Sequence, residues 1–269
     1  MNKSFIYITQ ELLGFNLPIS EVLITIILLY AEILFIGLFI VLILIDTIVD
    51  VIDRYSYEKN LNAYSFSKRM ESFLDLFFLL LPTFIVIIIL VPSLGFLYMN
   101  EYAVDLFEST MTVDVIGHQW YWSYSYKINT DSLFDLCIDT IYVDEQNSIL
   151  QDSFYERLLA VDNAILIPTN TVINITVTSD DVIHSWAIPQ LGVKLDAIPG
   201  RVASTSIIAF IEGTWSGQCS ELCGVNHGFM PIVLESVSRA SFFCTLVDVD
   251  IYSSFEWTAS FIRTFKNAN

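Results

Sequence analysis

Hydrophobic and polar positions divide this chain into two different halves. From Val22 to Ile45 the residues are apolar almost without interruption, and Glu32 is the single charge in the run. A stretch of that length predicts a helix able to cross the hydrocarbon core of a membrane. A carboxyl group near its middle is costly there, so Glu32 is expected to face another helix or to be protonated. A second apolar run from Phe73 to Tyr98 predicts a second span, interrupted by Pro82 and Pro92, which membrane helices tolerate. Between the two, Asp46 to Glu71 is polar and holds Arg54, Lys59, Lys68 and Arg69. By the positive-inside rule this loop lies on the inner side, which places both termini outside. Asn100 to Thr112 reads as an acidic connector.

Beyond Val113 the period changes from helix-like to strand-like. Val115, Trp120, Trp122, Tyr124 and Tyr126 form an aromatic β-type run. Ile165 to Ile167, Thr171 to Thr178 and Ser204 to Phe210 predict further strands, and Ile173, Ile175 and Val177 alternate with Asn174, Thr176 and Thr178. Short strands separated by Gly/Pro turns predict a sandwich or barrel. The expected organisation is an outer segment 1–21, a two-helix transmembrane hairpin over 22–98, and an all-β domain over 99–269.

Composition agrees with a membrane protein: 54% of residues are hydrophobic and the mean hydropathy is +0.60. The net charge of −18 is concentrated in the second half, where 21 acidic residues stand against 7 basic ones from Glu101 onward. An acidic domain steers basic partners and argues against nucleic acid. Residues 1–21 carry neither a secretory h-region nor an Arg-rich transit pattern, which points to synthesis inside an organelle.

The candidate chemistry lies in Gly217–Pro231, where Cys219, Cys223, His227 and Met230 follow one another at spacings of four, four and three. A further histidine, His184, stands upstream in Asp-Asp-Val-Ile-His-Ser-Trp. Soft sulfur and nitrogen donors select copper, zinc or iron–sulfur clusters over magnesium or calcium. A mononuclear blue-copper site needs one thiolate; a second allows two sulfurs to bridge two coppers, with one imidazole for each and weak axial donors. Two other readings use the same residues: a Cys219–Cys223 disulfide and a Cys2His2 zinc site. The spacings suit zinc poorly, and zinc gives Met230 no role. Cys137 and Cys244 are isolated in sequence, as free or buried thiols are.

This loop resembles the dinuclear copper (CuA) loop of the cytochrome c oxidase subunit 2 family, of the mitochondrial type. The resemblance extends to Gly117-His118-Gln119-Trp120-Tyr121-Trp122-Ser123-Tyr124, to Arg157–Pro168, to Asp180–Pro189 and to Leu191–Arg201. It implies a cupredoxin-like Greek-key β domain after the helix hairpin. It also implies that Cys219 and Cys223 bridge two coppers, that His184 and His227 each bind one, and that Met230 and the Glu221 carbonyl are weak axial donors. The Glu221 side chain then reaches a magnesium ion at the contact with subunit 1. Trp120 is the point where electrons enter from cytochrome c, exposed at the docking face, and Asp162, Asp180 and Asp181 are acids that attract that partner. Asp75 falls where relatives carry a glutamate at the mouth of a proton path. His118 lies outside the ligand set and reads as a structural histidine.

The resemblance further implies partners in subunit 1, other oxidase subunits and membrane lipid. The expected location is the mitochondrial inner membrane, crossed more than once, with the copper domain in the intermembrane space. Residues 127–156 and 236–254 depart from the family pattern, and the resemblance gives no role to Glu32, Cys137 or Cys244. Two alternatives share features with this reading: a quinol oxidase subunit 2, which keeps the fold but lacks the copper ligands, and a membrane-anchored protein that stores or delivers copper.

Overall fold

The computed structural model describes residues 14–56, 67–106, 109–128, 135–143 and 157–251. They fall into two units, one taking in Thr25–Met99 and the other Gly14–Ile24 with the chain from Asn100 onward. Two long helices supply the first unit: α1, Glu21–Tyr55, and α2, Lys68–Leu106. Both are long and apolar enough to cross a membrane. Phe35, Phe39, Phe78 and Phe84 stand exposed along them, as side chains in a lipid or subunit environment do.

Each helix outruns its apolar core. α1 continues ten residues past Ile45 because nothing in Asp46–Tyr55 breaks a helix. Its last turns carry the Asp50–Arg54 ion pair at 2.6 Å, whose cation lies at the helix end where the macrodipole favours it. α2 runs unbroken through Pro82 and Pro92, so these prolines interrupt the hydrophobic pattern without interrupting the helix. Within the same stretch, the Thr83 hydroxyl donates to the Leu79 carbonyl at 2.7 Å. The expected connector is partly helical too, since α2 ends only at Leu106. Glu32 and Asp75 are both exposed on these helices.

The β unit contains β1 Met111–His118, β2 Tyr121–Ile128, β3 Asp135–Thr140, β4 Ile165–Pro168, β5 Ile173–Ser179, β6 His184–Ile188, β7 Val193–Ala197, β8 Ala203–Ile207, β9 Gly213–Gln218 and β10 Pro231–Val237, followed by helix α3, Arg239–Ile251. One sheet has the order β3-β2-β1-β5-β8, a second β4-β10-β9, and β6 pairs with β7. β1 runs parallel to β5 and β4 parallel to β10; the other pairings are antiparallel.

The inward face of the large sheet carries Val113, Val115, Trp122, Tyr124, Ile173, Ile175 and Val177, all buried. Across the core lie Ile165, Ile167, Ile232 and Leu234. The buried Tyr126 hydroxyl joins the two sheets: it accepts from the Leu166 amide at 2.9 Å and donates to the Leu166 carbonyl at 3.2 Å. Cys219, Cys223 and Met230 belong to the same buried cluster, so the candidate ligands stand at the rim of the core.

Residues 19–23 join this unit. The Ser20 hydroxyl donates to the Leu191 carbonyl at 2.6 Å while accepting from the Leu23 amide, so within this unit it caps the first turn of α1 and ties that turn to the Leu191 backbone. The expected aromatic strand is two strands, β1 and β2, divided at Gln119–Trp120. The strand expected at Thr171–Thr178 begins two residues later, and the one expected at Ser204–Phe210 ends at Ile207. β6 is buried along its whole length, which removes the alternation that would announce it. The divergent segment 236–254 holds α3, pinned by Phe242 in the core and by Arg239, which donates to the Asn170 carbonyl at 2.6 Å and the Thr171 hydroxyl at 3.1 Å.

Close packing of β9 against β6 depends on Gly217. A Cβ there would lie 1.9 Å from the Ala187 carbonyl oxygen, a backbone atom that cannot swing aside. Gly217→Ala is therefore expected to destabilise the full chain by about 3 kcal/mol, lowering its thermal midpoint in detergent by roughly 10 °C. An unchanged midpoint contradicts this packing.

Candidate metal centre

Strand pairing brings the candidate ligands together. In the β9–β10 ladder Gln218 lies opposite Pro231, and the Cys219 amide donates to the Met230 carbonyl at 3.4 Å. The loop between them is therefore closed at its base, with Cys219 at one end and Met230 at the other. The Ser220 amide donates to the Ser185 carbonyl at 3.0 Å, which ties the loop to the start of β6, where His184 is fully buried. Gly224 adopts φ +125°, and a Cβ on it would sit 3.2 Å from the Trp120 ring; only glycine allows the loop to lie so close to that indole.

The donor atoms form two matching halves. Cys219 Sγ lies 3.9 Å from His184 Nδ1 and 3.3 Å from the Glu221 carbonyl oxygen. Cys223 Sγ lies 3.5 Å from His227 Nδ1 and 3.4 Å from Met230 Sδ. The two sulfurs are 4.0 Å apart, and both cysteines are free thiols. The ligand atoms of His184, Cys219 and Cys223 all lie within 4.8 Å of one another. Each thiol thus has one imidazole and one weaker donor beside it. The Cys219–Cys223 disulfide reading does not describe this arrangement.

The electrostatics of the halves differ. Burial opposes the Cys219 thiolate, but hydrogen bonding, first from His184, outweighs it and brings the thiol down from 9.0 to about 7. Burial and then the charge on Cys219 push Cys223 up to about 12. Burial also works against the His184 imidazolium, but its bonds to Cys219 and Asp181 win and raise its pKa. Near neutral pH Cys219 therefore already spends about half its time in the charged form a metal ligand needs, whereas Cys223 would release a proton on binding.

Asp181 turns its carboxylate towards this site. Its Oδ1 accepts from His184 Nε2 at 2.8 Å and from the Val182 amide at 2.5 Å, and its Oδ2 accepts from the Gln119 amide at 2.6 Å. Partial burial opposes the charged form, but these bonds, led by His184, hold its pKa below the usual carboxylate value. A carboxylate on Nε2 fixes the tautomer and leaves Nδ1 free to coordinate. Sequence reading treats Asp181 as a surface acid; the spacing of three residues before His184 is the signal that it touches the ring. Gln119 was overlooked as well, and its side chain donates to the Cys223 carbonyl at 2.9 Å.

The other expected residues fall around this centre. Trp120, expected to sit exposed at the docking face, is partly exposed, and its indole N–H is buried without a hydrogen-bond partner. It lines an open cavity of about 450 Å³ with Tyr121, Ile141, Tyr142, Asn226 and Phe229. Asp180 is exposed, 3.9 Å from His118, which stacks on Tyr121 at 4.6 Å. Asp162 is exposed, but its carboxylate accepts the Ile141 and Asn163 amides. Glu221 and its neighbour Leu222 face solvent.

A family model described as cytochrome C oxidase subunit II, periplasmic domain, matches residues 111–237. Cytochrome c oxidase subunit 2 of Cyanidium caldarium is 41% identical over 228 residues, covering 84% of this chain and 86% of that protein. The Arabidopsis thaliana protein of the same name is 38% identical over 234 residues, covering 86% of each. Among solved structures, the periplasmic domain of subunit II of cytochrome oxidase from Bradyrhizobium japonicum is 41% identical, with a TM-score of 0.45, and the match covers 53% of this chain and 94% of that one.

In the reduced, metal-free chain, the ultraviolet thiolate signal lost on Cys219→Ser is expected to develop as pH rises through about 7. The folded value lies below the ordinary 9.0, so this thiolate favours the folded chain above that pH, a contribution lost as pH falls through about 7. A difference signal that develops only near 9.0 contradicts the His184 contact.

Proposed function

The chain belongs to the cytochrome c oxidase subunit 2 family, and from that premise we propose that it takes electrons from cytochrome c and delivers them to the haem- and copper-bearing subunit 1, where oxygen reduction is coupled to proton pumping. As a member of that family it is a subunit of an oxidoreductase, the haem–copper terminal oxidase. The observation that carries the proposal is the matched pair of sulfur–imidazole contacts, His184 with Cys219 and His227 with Cys223. This donor set fits two coppers by chemistry and number: Cys219 and Cys223 would hold them together with His184 and His227, and Met230 and the Glu221 carbonyl would be weaker donors. The chemistry such a centre supplies is one-electron storage, spread over two metals and two sulfurs so that bond lengths change little.

The protein's own residues hold that geometry still. The β9–β10 ladder fixes Cys219 and Met230, and Asp181 fixes the His184 ring. Trp120, packed over the ligand loop at the edge of an open cavity, is where the electron enters from docked cytochrome c. The exposed Asp180, the acidic balance of the domain and Asp162 attract a basic partner, raising association rate more than affinity. Asp181 adds to that field while bonded to His184. The exposed Glu221 carboxylate is free to serve as a hard donor to magnesium at the contact with subunit 1. Asp75, exposed near the start of α2, opens a proton path into that subunit in this reading. The two apolar helices anchor the chain in the mitochondrial inner membrane, with the copper domain in the intermembrane space and other oxidase subunits and lipid around the hairpin.

This function makes a kinetic demand. Reduction of the copper-loaded full chain by reduced cytochrome c is expected to slow by about tenfold or more between low and physiological ionic strength. Trp120→Leu is expected to slow it by about a hundredfold at every ionic strength without changing the metal's optical spectrum. Reduction indifferent to salt and to Trp120 favours a copper-delivery role instead.

A further inference from the structure

Asp162 makes contacts that a surface acid does not need. Its Oδ1 accepts two backbone amides, Ile141 at 2.7 Å and Asn163 at 2.8 Å, and its own amide donates to the Ile141 carbonyl at 3.1 Å. The Asn163 side chain donates to the Asp139 carbonyl at 2.9 Å, and the Val143 amide donates to the Ala160 carbonyl at 3.1 Å. Together with the Tyr142–Val161 bridge, these bonds fold 139–143 and 160–163 into one corner. One carboxylate oxygen holds both sides of it.

That corner ends against the ligand loop. The Tyr142 ring meets Phe229 edge-on, with centroids 5.5 Å apart and planes at 67°. Phe229 closes the short turn His227–Phe229, in which its amide donates to the Asn226 carbonyl at 2.9 Å. The same turn carries the imidazole beside Cys223 at one end and leads into Met230 at the other. Ile141 and Tyr142 also form part of the cavity wall beside Trp120. His184 has a carboxylate to fix its ring; the described contacts give His227 no such partner, and its loop leans on Tyr142 instead.

We propose that Asp162 is a positioning residue for the His227–Met230 half of the copper centre, acting through Tyr142 and Phe229, and that its acceptor oxygen matters to this task while its charge does not. The inference rests on the copper reading above. It separates two properties of one carboxylate, because asparagine keeps an acceptor oxygen for the two amides and loses the charge.

The test compares wild type, Asp162→Asn, Asp162→Ala, Tyr142→Phe and Tyr142→Leu in the assembled oxidase, reading copper retention, paramagnetic resonance and the salt dependence of reduction by cytochrome c. Hydrogen exchange of the Ile141 and Phe229 amides is followed in the metal-free full chain. Asp162→Asn and Tyr142→Phe are expected to match wild type in copper retention, resonance spectrum and hydrogen exchange, while Asp162→Asn and Asp162→Ala lose the same share of the salt dependence, the share that the charge of Asp162 supplies. Asp162→Ala and Tyr142→Leu are expected to alter the copper hyperfine pattern, to weaken copper retention about tenfold or more, and to speed exchange at Phe229. An unchanged spectrum in Asp162→Ala and Tyr142→Leu overturns the proposal, as does an Asp162→Asn protein whose spectrum departs from wild type as far as that of Asp162→Ala. If Asp162→Ala does not fold, the Tyr142 pair decides by the same spectrum. Wild type that binds no copper would overturn the copper reading alone, and exchange at Phe229 would still decide whether Asp162 and Tyr142 hold the turn.

Discussion

The antiparallel pairing of β9 with β10 is the constraint on which the site depends. It closes a loop of twelve residues at its base, Cys219 on Met230, so a thiol and a thioether at opposite ends of the loop reach the same small volume. The bond from Ser220 to Ser185 then carries the loop to β6 and sets Cys219 beside His184. Without these backbone bonds the donors belong to two separate stretches of chain, and those on the loop stand far apart along it. With them, soft ligands collect at the rim of a close-packed β core, where movement is costly.

The two halves of the centre are built alike and supported differently. On one side a buried imidazole is gripped by Asp181, itself gripped by two backbone amides. On the other, His227 lies nearer the surface on a tight turn, and aromatic packing from Tyr142 takes the place of a carboxylate. The thiols follow the same division: Cys219 is drawn towards the charged form, while Cys223 is held protonated by burial and by its neighbour's charge. A metal ion bound here would meet one thiol drawn towards its charged form and one that must still lose a proton.

Much of this was legible in the sequence because its signals are local. Two apolar runs gave the helices, and Ile173, Ile175 and Val177 gave a strand whose alternate residues are buried. The ligand loop showed itself by residue type and spacing. What stayed hidden depends on contacts across the chain. β6 has no alternation because both its faces are buried. The ends of α1 and α2 were missed because polar residues extend a helix as readily as apolar ones. Asp162 and Asp181 read as surface acids, since nothing in the sequence says that backbone amides from elsewhere converge on each. Trp120 was expected in the open, yet its N–H is buried against the loop it serves.

The central claim is that Cys219, Cys223, His184, His227 and Met230 together hold two coppers that share one electron. Metal analysis and paramagnetic resonance of the purified full chain, reduced and then loaded with copper, test it most directly. The account predicts two coppers per chain with one unpaired electron delocalised over both. A single zinc, or a Cys219–Cys223 pair that takes up no copper even after reduction, would contradict it.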